Sequence, residues 1–99
     1  KMHHAFSPAE DDTFGNAIMW RTPIREPAVK TGKLKVEGAF RRSFCLISAS
    51  VHGAPLSVCN VHLDHLREGR RLEQLQKLRA AVAADPPLVL LGDFNSLYR

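Results

Sequence analysis

Leu88-Val89-Leu90-Leu91-Gly92-Asp93-Phe94-Asn95-Ser96 is the stretch from which the fold is read. Four apolar residues behind Pro86-Pro87 predict a buried strand, because a run of that length bounded by breakers is strand-sized. The strand runs straight into Gly-Asp-x-Asn, which carries a carboxylate and a carboxamide to the rim of a sheet, where a rigid element can hold them. If extension persists, Asp93 and Asn95 face one way and Phe94 the other. A Gly-Asp turn closed by Asx hydrogen bonds is the purely structural reading of the same residues.

Outward from this stretch, Gly69 to Ala84 predicts a helix. Leu72, Leu75, Leu78 and Val82 recur every three or four residues, while Arg70, Glu73, Lys77 and Arg79 mostly take the wet face. Glu73 and Lys77 stand in the favourable i,i+4 order, and Asp85-Pro86-Pro87 ends the helix. Further upstream, Arg42 to Val51 carries Phe44, Cys45, Leu46, Ile47 and Val51 without helical spacing, as in a strand covered on both faces. His52-Gly53-Ala54-Pro55 breaks it and Leu56 to Leu63 resumes, which predicts an antiparallel hairpin. Period two then puts Leu56, Val58, Asn60 and His62 on one side and Ser57, Cys59, Val61 and Leu63 on the other. Behind Gly15-Asn16, Ala17 to Trp20 reads as a strand, followed by a long basic loop over 22–41. Residues 1–14 predict a polar loop, with Ser7-Pro8 and the acidic Glu10, Asp11 and Asp12, so that regular structure occupies 15–99.

The 99 residues, 44% hydrophobic and 24% charged, suit one globular core and exclude a disordered chain, a collagenous repeat or a disulfide scaffold. No apolar run reaches the roughly 18 residues of a membrane span, so no membrane segment is expected. Cys45 and Cys59 lie in separate apolar runs without metal-ligand spacing and read as reduced, buried thiols, a usage that fits an intracellular setting. The 14 basic against 10 acidic residues leave a charge of +4, compatible with a phosphate-bearing partner without naming one.

The chemistry concentrates at strand ends. Asp93 can orient or deprotonate a water, and Asn95 can donate hydrogen bonds to a developing oxyanion without adding charge, a pairing suited to phosphate-ester hydrolysis. His62 also ends a strand, and one crossover helix separates it from the strand of Asp93, so the two ends can be neighbours. There it could donate to a non-bridging phosphoryl oxygen; otherwise it is a structural hydrogen bonder. His3, His4, His52 and His65 have no partner at zinc-ligand spacing. Asn16 opens the first strand as a further polar rim residue, and Arg41 and Arg42 read as solvated surface or phosphate contacts.

Together, Gly15-Asn16-Ala17-Ile18, Pro23-Ile24, Val61-His62-Leu63, Arg71-Leu72-Glu73-Gln74-Leu75 and Leu90 to Ser96 resemble, in this order, the endonuclease/exonuclease/phosphatase superfamily. The resemblance implies an α/β fold, a two-sheet α/β sandwich with mixed, largely antiparallel sheets and a phosphate-ester hydrolase site at one edge. It implies Mg²⁺ as cofactor, with Mn²⁺ as the alternative. By motif position, Asp93 would activate the water, Asn95 would contact the scissile phosphate, and His62 would stabilise its charge. Asn16 would support substrate binding at the rim, while Arg71 and Gln74 would pack and hydrogen-bond.

Family members also carry an upstream strand ending in a metal-binding glutamate, and a downstream Asp-His pair. This sequence has neither; Glu10 lies in a polar stretch without an apolar strand behind it, so no metal ligand is assigned within the segment. The segment is therefore expected to be the central, incomplete portion of the domain and inactive by itself. The expected substrate is a phosphate ester, with nucleic acid favoured by Arg25, Lys30, Lys33 and Lys35 in the basic loop. A non-catalytic relative that uses the old cleft to bind nucleic acid or protein, and a basic α/β binding module, are the competing readings.

Overall fold

The computed structural model describes residues 2–21, 24, 27–82 and 87–96. Its elements in chain order are β1 (Met2–Pro8), β2 (Gly15–Arg21), β3 (Ala28–Leu34), β4 (Arg42–Val51), β5 (Ala54–His62), α1 (Glu68–Ala81) and β6 (Leu88–Asp93). They form a two-stranded antiparallel sheet, β1-β2, and a four-stranded mixed sheet in the order β3-β4-β5-β6. This is the two-sheet α/β arrangement expected. Pro23, Arg25, the end of the expected helix at 83–86 and the terminal Tyr98-Arg99 lie outside the described residues.

The β4-β5 hairpin holds the middle of the larger sheet, with Phe44 opposite Val61 and Val51 opposite Ala54. His52 and Gly53 turn it with φ of 50° and 80°, the pair of positive values that matches a two-residue turn to the strand twist. On one face, Leu34, Phe44, Cys59, Val61, Leu63, Leu78 and Val82 form the main core beneath α1. On the other face, Ser43 and Cys45 of β4 meet β1: Ser43 Oγ donates to Ser7 O at 2.9 Å, and Cys45 Sγ lies 3.8 Å from Ala5 O. Cys45 and Cys59 thus point to opposite faces, and both are buried free thiols. Burial pushes the Cys59 thiol up to about 11, with Cys45 adding to it.

Several expectations need correction. Residues 2–8 are not a polar loop: they form β1, paired with β2 from Met2 opposite Arg21 to Pro8 opposite Gly15. Ala5 and Ser7 are its buried positions, with Ala9 buried just past its end, and their small side chains let the two sheets approach while carrying almost no hydropathy signal. The loop over 22–41 contains β3, whose Thr31 and Gly32 pair with Cys45 and Phe44. A glycine stands there because a Cβ on residue 32 would collide with the Phe44 ring. In α1, Leu72 is exposed and Gln74 is fully buried, so one buried position of the helix is polar. Glu73 pairs with Arg70, Oε1 to Nη1 3.2 Å, instead of Lys77.

The largest correction concerns β6. It pairs in parallel with β5, from Ser57 opposite Leu88 to His62 opposite Asp93, but among the described residues it is the sheet's edge strand and is not buried. Val89, Leu90 and Leu91 are 44%, 37% and 46% exposed. Hydropathy selected the strand correctly and said nothing of how many neighbours it would have. Among the described residues, no helix is long and apolar enough to cross a membrane.

Candidate active site

The strand registers bring four strand ends of the larger sheet to a common rim. Leu34 pairs with Arg42, Phe44 with Val61 and His62 with Asp93, so the start of β4 and the ends of β3, β5 and β6 lie together. Gly92 makes the last of these registers feasible. Its φ is +141°, and a Cβ there would run into the Val61 carbonyl of β5, so only glycine lets the carboxylate-bearing residue come this close.

Asp93 ends β6 with a side chain 65% exposed. Its Oδ1 accepts the Asn95 backbone N–H at 2.9 Å, and its Oδ2 lies 3.7 Å from His62 Nε2. Extension does not persist beyond Asp93: Asn95 has φ of +48°. The two polar residues are brought together by an Asx turn, not by strand alternation. Asn95 Nδ2 donates to Leu63 O at 2.8 Å, which anchors the amide to the end of β5 and leaves its second N–H for another acceptor. Phe94 packs against the main core and fixes the base of this turn.

His62 is tied from its other side. Its Nδ1 lies 3.4 Å from Arg42 Nη1, and its ring is tilted against Phe14 at a centroid distance of 6.2 Å. Burial holds the imidazole below its ordinary value, helped by the Arg42 charge; the Asp93 carboxylate pulls the other way and loses. Although His62 and Asp93 lie within ion-pair distance, His62 is therefore neutral near pH 7 and the contact is not a pair of full charges.

Asn16 reaches the same rim with both polar contacts directed inward. Its Nδ2 lies 2.7 Å from Ser43 O and 3.1 Å from Ser43 Oγ. The amide thus holds β2 to β4, and its donors are spent on the seam between the sheets. In this geometry Asn16 supports the site as a brace.

Two residues of the rim, Arg42 and Asp64, escape a reading of the sequence alone. Arg42 is not solvated surface but 6% exposed; its guanidinium lies over Phe14 and Phe40 at 5.8 and 5.6 Å, and Nη2 lies 3.1 Å from His65 Nδ1. Its position two residues before Phe44, in step with an apolar strand, was the available signal. Asp64, 1% exposed, accepts the backbone N–H groups of Phe40, Leu66 and Arg67 at 3.0–3.1 Å. Burial alone would raise its carboxyl, but these three amides together hold it below the usual carboxylate value. Gln74 completes the network: Oε1 accepts the Asp64 N–H at 2.7 Å and Nε2 donates to Phe40 O at 3.1 Å. Arg71 Nη1 adds a long contact to Asp64 O at 3.4 Å. The packing and hydrogen-bonding role expected of Arg71 and Gln74 is therefore what the contacts describe.

A metal ion needs several convergent oxygen or nitrogen ligands. Among the described residues, no group of three or more His, Cys, Asp or Glu side chains could hold one. Asp93 is the exposed carboxylate of the rim, so these residues do not make a complete metal site.

The profile of the Endonuclease/Exonuclease/phosphatase family matches residues 2–99. Among solved structures, a functionally unknown conserved protein from Enterococcus faecalis V583 superimposes with a TM-score of 0.77 at 23% identity, covering 97% of this chain and 44% of that one. A mannosyl-6-phosphatase from Bacteroides thetaiotaomicron VPI-5482 gives 0.69 at 20% identity, covering 95% and 43%. An endonuclease/exonuclease/phosphatase family protein from Bacteroides thetaiotaomicron gives 0.68 at 20%, covering 95% and 42%. No curated protein matches the chain. The chain thus spans less than half the length of these solved structures, and at such identities their likeness establishes the fold alone. The family profile, running through β1 to the Gly-Asp-x-Asn turn, carries the assignment: the chain belongs to the endonuclease/exonuclease/phosphatase family.

Proposed function

We propose that this chain contributes the central part of a metal-dependent phosphoric-ester hydrolase, a phosphodiesterase or nuclease acting on nucleic acid. The observation that carries the reading is the juxtaposition at the rim: the exposed Asp93 carboxylate, the His62 ring 3.7 Å away and the Asn95 amide anchored on Leu63 O. In this reading Asp93 orients and deprotonates the attacking water, His62 donates to a non-bridging phosphoryl oxygen, and the second Asn95 N–H meets the oxyanion. Mg²⁺, or Mn²⁺ in its place, belongs to the proposal through the family's chemistry and not through a ligand set among these residues.

Nucleic acid is favoured over a small ester by the charge around the rim. Lys33 and Lys35 flank Leu34, and Arg41 precedes Arg42; the Leu34–Arg42 pair lies at the same end of the sheet as the His62–Asp93 pair. Lys30 does not contribute, because its Nζ donates to Ala81 O at 2.6 Å at the end of α1. A second reading is a sugar-phosphate monoesterase, the activity in the name of one solved structure that shares the fold.

The test is hydrolysis by the full-length protein, with Mg²⁺, of DNA, RNA and hexose 6-phosphates. Asp93→Asn should lower turnover by about 10²–10⁴-fold with an unchanged circular dichroism spectrum; near-normal turnover removes the role given to Asp93. Salt-dependent nucleic-acid binding with no hydrolysis of any ester would instead identify a binding protein.

A further inference from the structure

Arg42 is an unusual arginine. It is almost fully buried, yet among the described residues no carboxylate lies within ion-pair distance of it, and its Nε is buried without a hydrogen-bond partner. Burying a guanidinium without a counter-ion is costly, so the site retains it against a penalty. What surrounds it is two aromatic faces, Phe14 and Phe40, and two imidazole nitrogens, His62 Nδ1 at 3.4 Å and His65 Nδ1 at 3.1 Å. The Phe40 ring is itself tilted against His65 at 4.8 Å, and the Phe40 backbone is clamped by Asp64 and Gln74. The cation is thus caged, and its position is set by the fold.

A guanidinium has five N–H donors and no acceptor, and it does not deprotonate in proteins. An imidazole nitrogen facing it must therefore present a lone pair. For a neutral ring, that places the single proton on the opposite nitrogen. In His62 the opposite nitrogen is Nε2, the atom that faces Asp93 at the exposed rim.

We propose that Arg42 is a positioning residue that locks His62 in the Nε2–H tautomer, so that the ring always presents a donor, and never a lone pair, toward the phosphoryl group. His65 is held in the same tautomer by the other Nη and acts as the second wall of the cage. The use of that donor rests on the hydrolase reading above; the tautomer itself does not. Without Arg42, a neutral imidazole at this place is free to carry its proton on Nδ1, where Nε2 would repel a phosphoryl oxygen.

The decisive measurement is a long-range ¹H–¹⁵N correlation spectrum of the full-length protein labelled at histidine nitrogen, at pH 8 and without substrate. His62 and His65 should both show a protonated Nε2 and a bare Nδ1. Arg42→Met keeps an unbranched stem between the two phenyl rings and removes every donor; there the Nδ1–H form of His62 should become populated. Turnover in that variant should fall by about 10²-fold, more in kcat than in KM, and Arg42→Lys, which keeps a charged donor, should recover part of both effects. A wild-type His62 protonated on Nδ1, or a tautomer unmoved by Arg42→Met in a folded variant, overturns the proposal. Should Arg42→Met fail to fold, a wild-type His62 protonated on Nδ1 still overturns the proposal, and the tautomer in Arg42→Lys tests whether it follows the donor at this position. A locked tautomer in a protein inactive on every phosphate ester would support the positioning and reject the hydrolase reading, so the two fail separately.

Discussion

β5 and β6 lie side by side in parallel register and end on His62 and Asp93, yet they are built on opposite principles. β5 alternates strictly: Ser57, Cys59 and Val61 are buried on one face, and Leu56, Val58, Asn60 and His62 are partly covered on the other. β6 is richer in large aliphatic residues, but Val89, Leu90 and Leu91 are exposed, and among the described residues it has a strand neighbour on one side only. Burial follows from the number of partners and not from a strand's own hydropathy. The site inherits this asymmetry. Its histidine is held by a packed strand and a caged arginine, while its aspartate stands on an edge and is held by one glycine and one Asx turn.

Separating the two strands has the largest expected effect. Gly92→Val places a branched side chain at φ +141° against the Val61 carbonyl, and should destabilise the fold by roughly 3 kcal/mol or more in denaturant unfolding. Because the damage falls at the register of His62 with Asp93, any residual folded protein should also lose the His62 contact. A variant of near-normal stability would mean that β6 can leave β5 freely and that the rim is not set by this pairing.

A matched pair of aliphatic truncations sharpens the same contrast. Val61→Ala removes two methyl groups from a fully buried position and should cost about 1.5–3 kcal/mol. Leu91→Ala removes more hydrocarbon, but from a side chain 46% exposed, and should cost less than about 1 kcal/mol. Equal costs in thermal or denaturant unfolding would show that β6 is covered in solution.

What could be read from the sequence divides along the same line. The hairpin, the helix, β6 and the approach of His62 to Asp93 were legible because they rest on local signals: alternation, helical period, and Gly-Asp after an apolar run. β1 and β3 were not. Their close-packed positions include Ala5, Ser7 and Gly32, residues chosen for thinness, and thinness has no hydropathy. The exposure of β6 and the cage around Arg42 depend on which elements meet, a property of topology that no window of residues contains. The left-handed Asn95 could have been suspected, since asparagine tolerates positive φ and often turns on a preceding aspartate.

The smallest effect bears on the junction between the two strands, the contact of His62 with Asp93. His62 binds its proton more weakly in the folded chain than at the ordinary imidazole value near 6.5, because burial and Arg42 outweigh Asp93; His65 also lowers it slightly. The unfolded chain then takes up that proton first as pH falls, so stability is full above about 6.5, declines below it, and levels off once the folded chain is protonated too. Were Asp93 dominant, acidification would stabilise the fold over the same range. Unfolding of the wild type and of His62→Gln, followed from pH 8 to pH 5, isolates the effect: the wild type should lose stability relative to the variant on going down in pH. Adding Asp93→Asn should steepen that loss, since the mutation removes the group that favours the protonated ring. A wild type that gains stability on acidification relative to His62→Gln would reassign the contact as a true ion pair and make the edge strand, not the packed one, the stronger influence on the histidine.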